Sequence, residues 1–217
     1  MDGGMSNRLG LRDSKKARTR QAISNVATTL FVARGFDQVS VDEIAREAEV
    51  ARKTVFNYFP RKEDLVFDRE EETRVLAREA LSREALAARG GRAPVPAFQA
   101  LVRTLVATEH PLFRITDRPV QFWRMVAESP TLTARARELQ VSLADDLAGL
   151  LADAAGRPHA DPDARLAATL LMGALVVAYG EALNAFREGR APQGAFTAVM
   201  ERGFTGVDAA LAGTPYL

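Results

Sequence analysis

Cysteine is absent from these 217 residues, which excludes disulfides and thiolate metal sites and matches the usage of a reducing cytosol. Histidine is nearly absent too. His110 and His159 are not at metal-ligand spacing, and no phosphate-cradling glycine loop, nucleophile elbow or zinc motif accompanies them. No enzyme, metal or cofactor is therefore expected. The adjacent carboxylates Asp145 and Asp146 face different sides of a helix and read as solvated. Lysine is scarce, with 4 against 25 arginines, a compositional bias and not a functional signal. Long apolar runs are lacking as well. The stretch Met1 to Leu11 has no apolar core of a signal peptide, and the longest apolar stretch, Ala167 to Gly180, is short for a membrane span. A cytoplasmic chain without a membrane segment is the expectation.

What charge there is divides along the chain. Between Arg8 and Lys62 stand 12 Lys and Arg against 6 Asp and Glu, whereas from Glu63 to Leu217 the tally is 17 against 21. A near-neutral whole, with a formal net charge of +1, thus has a basic front and a mildly acidic back. That asymmetry suits a protein whose front meets a polyphosphate.

The basic front carries a compact set of helix signals. Ile23, Val26, Ala27 and Leu30, with Phe31 beside them, form an apolar stripe that Gly35 terminates. Ser40 and Glu43 make a capping box for a second helix with Val41, Ile44 and Ala45 on its buried side. Glu49-Val50-Ala51 is a tight turn, and Arg52 to Phe59 a further helix stopped by Pro60, with Val55 and Phe59 facing the core. A helix of this kind enters the major groove with its first residues over base edges, here Arg52, Lys53 and Thr54. Arginine or lysine there can contact guanine, and the threonine methyl can pack on thymine.

From Thr19 to Leu65 these signals together resemble the DNA-binding domain of the TetR family of one-component transcriptional regulators. The resemblance implies DNA contacts at Ser40, Thr54, Phe56, Asn57, Tyr58 and Lys62, several of them to phosphate. Lys62, expected at the N-terminus of a fourth helix, and Arg20, near the start of the first, are the phosphate candidates. The family's usual turn glycine, capping serine and tyrosine are replaced by Glu49, Ala51 and Phe56. Glu49 is expected to adopt the left-handed conformation at a modest steric cost.

Beyond Leu65 the pattern is helical throughout. A fourth helix is expected from Lys62 to about Ala88, then segments at 95–108, 118–128, 131–155, 162–188 and 192–212, separated by proline and glycine breaks. The fold expected is all-α, an N-terminal helix-turn-helix DNA-binding domain followed by a C-terminal helical ligand-binding and dimerisation bundle. Its divisions are a flexible arm at 1–13, the DNA-binding domain at 14–61 and the bundle at 62–217.

The resemblance implies a homodimer paired through the last two long helices. The residues expected there are Leu171, Leu175 and Tyr179 on one and Phe196, Met200, Phe204, Val207 and Leu211 on the other. Phe98, Phe113, Phe122, Trp123 and Met125, with Gln99, His110 and Gln121, are the candidate lining of a site for a medium-sized, largely apolar small-molecule effector. The function expected is a ligand-responsive repressor that binds a palindromic operator in double-stranded DNA as a dimer and is released by its effector. Two alternatives stay open, a nonspecific architectural DNA-binding protein and a helical enzyme.

Overall fold

The structure is a computed structural model that describes residues 4–88, 90, 91, 93–113 and 117–217. Ten α-helices run through them: α1 Gly4–Arg34, α2 Val41–Glu47, α3 Arg52–Tyr58, α4 Glu70–Ala80, α5 Arg83–Ala88, α6 Pro94–Ala107, α7 Asp117–Glu128, α8 Pro130–Ala154, α9 Pro162–Arg187 and α10 Pro192–Ala210. No strand occurs among the described residues. α1 begins inside the segment 1–13 expected as an arm.

The long fourth helix is corrected. Lys62–Leu65 is a single 3₁₀ turn, the chain leaves helix before Glu70, and Leu81-Ser82 separates α4 from α5. Local capping explains both breaks. Asp64 accepts from the backbone N–H of Arg61 at 3.0 Å, which closes the first turn on itself. Ser82 accepts from Ala85 N–H at 3.2 Å, which starts a new helix there.

Two compact units result, and each has its own core. The head comprises residues 1–68 together with 122–135, and the body residues 69–121 and 136–217. In the head, Ile23, Ala27 and Phe31 of α1 pack with Phe36, Ile44, Val55, Phe59 and Leu65, all buried. The segment 122–135 joins them through side chains. Phe122 meets Phe67 edge to face at 5.9 Å, Ser129 lies 3.5 Å from Asp37, and Arg135 pairs with Asp64 at 2.9 Å.

In the body α9 and α10 pack so closely that a Cβ built on Gly203 would lie 2.4 Å from that of Ala174, a contact open only to glycine. α6 is tied to α10 by two polar pairs, one exposed and one involving a buried side chain. Arg103 and Glu201 form a two-pronged ion pair with both contacts at 2.7 Å, and Gln99 donates to Asp208 at 2.7 Å. The chain end closes the body. Tyr216 is fully buried, and its carbonyl accepts from Val95 N–H at 3.1 Å.

Candidate nucleic-acid interface and effector cleft

α2 begins on the expected capping box, complete in both directions. Ser40 Oγ accepts from Glu43 N–H at 3.2 Å, and Glu43 Oε2 accepts from Ser40 N–H at 3.0 Å. Arg34 adds an ion pair to Glu43 at 2.7 Å. The Ser40 backbone donor first, and Arg34 next, hold the Glu43 carboxyl down to about 2. The turn that follows has Glu49 at φ 54°, the left-handed conformation expected for this replaced glycine. Ala51 caps α3 without a side-chain hydrogen bond, so the first amides of α3 lack the acceptor that a serine would bring.

α3 divides its residues as its spacing requires. Val55 and Phe59 are buried, while Arg52, Lys53, Phe56 and Asn57 are exposed and Thr54 and Tyr58 half-buried. Lys53, Thr54 and Asn57 stand together on the outward surface, with Ser40 exposed at the start of α2. Arg52 is engaged sideways. Its Nη1 lies 3.0 and 3.3 Å from the two oxygens of Asp42, and its guanidinium carbon lies 5.5 Å from the Phe56 ring centre.

Lys62 and Arg20, the expected phosphate anchors, make contacts within the head. Lys62 Nζ donates to the Phe36 carbonyl at 2.6 Å and sits 4.0 Å from the centre of the Phe36 ring, in a half-buried position where desolvation lowers its pKa. The 3₁₀ turn, in place of a helix start, aims that side chain inward. Arg20 lies 4.5 Å over the Phe59 ring and donates to the Asp68 carbonyl at 3.2 Å. Both cations contact the head's own backbone and rings.

In the body, a cleft of about 260 Å³ opens between α4, α6, α8 and α9. Ala77, Phe98, Leu143, Leu147, Leu150 and Met172 give it apolar walls, and Arg74, Arg78, Asp145, Asp146, Asp153 and His159 a charged rim. Arg74 is held by Asp146 at 2.6 Å, by Glu70 at 3.3 Å and by Ser142 at 3.1 Å, and the Asp146 hydrogen bond raises its pKa. Asp145 and Asp146 are thus rim residues, and Asp146 is paired instead of merely solvated.

Of the eight residues expected to line an effector site, Phe98 lines this cleft and the others do not. Gln99 is buried against Asp208, and His110 Nδ1 accepts from Leu112 N–H at 3.3 Å. Phe113 is core, 5.7 Å from Phe196 and 6.1 Å from Tyr179 between ring centres. Gln121 is exposed, and Phe122, Trp123 and Met125 belong to the head, where Phe122 and Trp123 meet edge to face at 5.2 Å. Helical spacing could not distinguish a cleft wall from a core face. The rim is also richer in ionisable groups than expected, because α4, which turns Arg74 and Arg78 into the cleft, lies far from the aromatic segment in sequence.

The residues expected at the pairing surface lie mostly inside a single chain. Leu171, Phe196, Met200, Phe204, Val207 and Leu211 are at most 3% exposed within a single chain, and Leu175 and Tyr179 are half-buried. Tyr179 donates to the Leu112 carbonyl. The last helix turns its apolar stripe onto its own body, since α6 and α9 need it as core. Among the large apolar side chains left outside, four are on the opposite face of α9. Leu166, Leu170, Val176 and Val177 are 43, 37, 49 and 59% exposed.

The family model described as bacterial regulatory proteins, tetR family, matches residues 23–68, ending where the first segment of the head ends. Residues 23–68 carry the DNA-binding signature of the TetR family. A Mycobacterium tuberculosis protein that carries the name mycofactocin biosynthesis transcriptional regulator MftR is 50% identical over 56 residues, 26% of this chain and 27% of that one. The likeness to that curated relative therefore spans about a quarter of its length. Thermus thermophilus FadR, a TetR-family transcriptional repressor solved with lauroyl-CoA, superposes with a TM-score of 0.53 at 26% identity, over 86% of this chain and 94% of that one. NalD of Pseudomonas aeruginosa shares the fold at a TM-score of 0.56 and 20% identity, over 88% of this chain and 97% of that one.

Within this head, two polar contacts escape sequence reasoning. Asp42 has the signal of a first-turn acid and nothing that points across to Arg52, ten residues on. Ser24, buried in α1 and hydrogen-bonded to Asp68, interrupts the apolar stripe without any sign of its partner.

Proposed function

We propose that this chain is a ligand-responsive transcriptional regulator, a repressor that binds a palindromic operator as a dimer and leaves it when a small molecule occupies the body. The observation that carries the reading is the division of α3 inside a TetR-family head. Val55 and Phe59 bury one face, and Lys53, Thr54, Phe56 and Asn57 remain on the other, with Arg52 at the helix start. A basic helix so placed is a major-groove reader. The outward apolar face of α9 supports a second copy as its cover, because four large apolar side chains on one helix are an unusual surface for a monomer.

The cleft supports an amphipathic effector, with an apolar body against Phe98, Leu147 and Met172 and a polar end at the Arg74 and Asp146 rim. Lauroyl-CoA, held by FadR, is a ligand of that general character. α4 supplies cleft residues Thr73 to Arg78 and follows the first segment of the head directly in the chain, so a ligand there acts on the first helix beyond it. Such a ligand shifts the operator equilibrium by its differential affinity for the two arrangements, about 1 to 3 kcal/mol.

Selection of genomic fragments by the purified protein tests the reading. A palindromic site should emerge and should be preferred over random DNA by about a thousandfold or more. Equal affinity for selected and random fragments would replace the regulator with an architectural DNA-binding protein.

A further inference from the structure

We infer that Asp42 is a specificity-determining positioning residue, which aims the Arg52 guanidinium at a guanine edge. The inference rests on the reading of the head as a sequence-specific DNA binder. Asp42 stands in the first turn of α2 and Arg52 opens α3, so the contact crosses the helix-turn-helix. Both carboxylate oxygens accept from the same nitrogen, Nη1, at 3.3 and 3.0 Å. Among the described residues no other hydrogen bond engages this guanidinium, so its Nε and Nη2 edge stays free. That edge carries two parallel donors, the geometry that matches the O6 and N7 acceptors of guanine.

A ring also stands near the fork. The Phe56 ring, one helical turn further on, lies 5.5 Å from the guanidinium carbon, and it is itself exposed. An arginine held at one nitrogen by a carboxylate, with a ring nearby, loses less rotamer freedom when it meets a base than a free one. The carboxylate also selects between targets. Beside Asp42 the pair carries no net charge, which weakens its attraction to phosphate and leaves hydrogen-bond geometry to decide where Arg52 binds. The pair is 60 and 64% exposed, so its contribution lies in aim and not in stability.

The test uses full-length protein and the operator obtained by selection. Arg52→Ala first identifies the position in each half-site whose guanine preference depends on Arg52. At that position Asp42→Ala should lower the preference for guanine about two- to fivefold, the range of an exposed ion pair, and leave the other positions unchanged. Affinity for random DNA should rise and its salt dependence steepen, because Arg52 is then released to phosphates. Asp42→Asn, which keeps one acceptor oxygen, should fall between wild type and Asp42→Ala. In the Arg52→Ala background Asp42→Ala should change no base preference. A uniform change in affinity with every preference intact would overturn the inference, since removal of a charge or loosening of α2 would act on all positions alike. A wild-type protein that selects no motif would end the sequence-specific reading itself. A motif indifferent to both Arg52 and Asp42 would end this inference alone.

Discussion

Glu43 is ionised in the folded head by three convergent partners: the Ser40 N–H, the Ser40 hydroxyl and the Arg34 guanidinium. Its folded pKa is lowered to about 2, below the ordinary glutamate value that it takes in the unfolded chain. As pH falls, the unfolded chain therefore takes up the proton first. The stabilisation is fully present above the ordinary value and is lost between it and about 2. Replacing Glu43 with Gln removes this titration while keeping an acceptor at the helix start. The thermal midpoint of wild type should accordingly fall more steeply between pH 5 and pH 3 than that of Glu43→Gln, and parallel curves would show that other carboxyls set the acid sensitivity. The Ser40 and Glu43 box was fully legible because capping is a local code of three residues. The left-handed Glu49 was legible for the same reason. Lys62 was not, because a long cation can reach either outward to an anion or back to an unpaired carbonyl, and the choice fell to the Phe36 carbonyl only when the 3₁₀ turn fixed its direction.

At the scale of elements, five helices from α6 to α10 stand within two residues of their expected limits, because proline and glycine punctuate them sharply. The region 62–88 was less legible. Its charged residues favour helix everywhere, and the breaks depend on the caps of Asp64 and Ser82, each a weak signal inside a helical pattern. Which face of α10 is buried was legible as a stripe, but not what covers it, since the same periodicity serves a core and an interface. The α9 and α10 contact makes a sharper claim. At Gly203 an added methyl would lie 2.4 Å from the Ala174 methyl, whereas at Gly206 nothing lies within 4 Å. Gly203→Ala must push the helices apart, at a cost of about 1 to 3 kcal/mol from overpacking, against a gain in helix propensity of about 1 kcal/mol. Gly206→Ala collects the gain without the clash. Urea midpoints should move in opposite directions for the two variants, and a shared rise would mean that α10 slides freely past Ala174.

For the whole molecule, the proposed dimer on a palindrome places two heads about 34 to 36 Å apart on the DNA, so one surface must join two copies. On the last-helix stripe, Phe204 and Met200 are buried within a single chain. The outward face of α9 is the surface we propose. Its Leu166, Leu170, Val176 and Val177 are exposed within one chain, and the helix meets the length and composition of a membrane span while a third of its most apolar window is buried in the body. A helix with one face in the core and the other apolar and bare is satisfied by a copy of itself. Charge placed on the two faces separates them. Val177→Arg should leave the helical signal and thermal transition of the chain nearly intact and yield a monomer in sedimentation, with operator affinity lost by at least the contribution of the second head. Phe204→Arg instead buries an unpaired cation in the body, which costs about 3 to 5 kcal/mol and should lower the thermal midpoint whatever the state of assembly. A Val177→Arg protein that still sediments as a dimer at micromolar concentration would move the interface off this face.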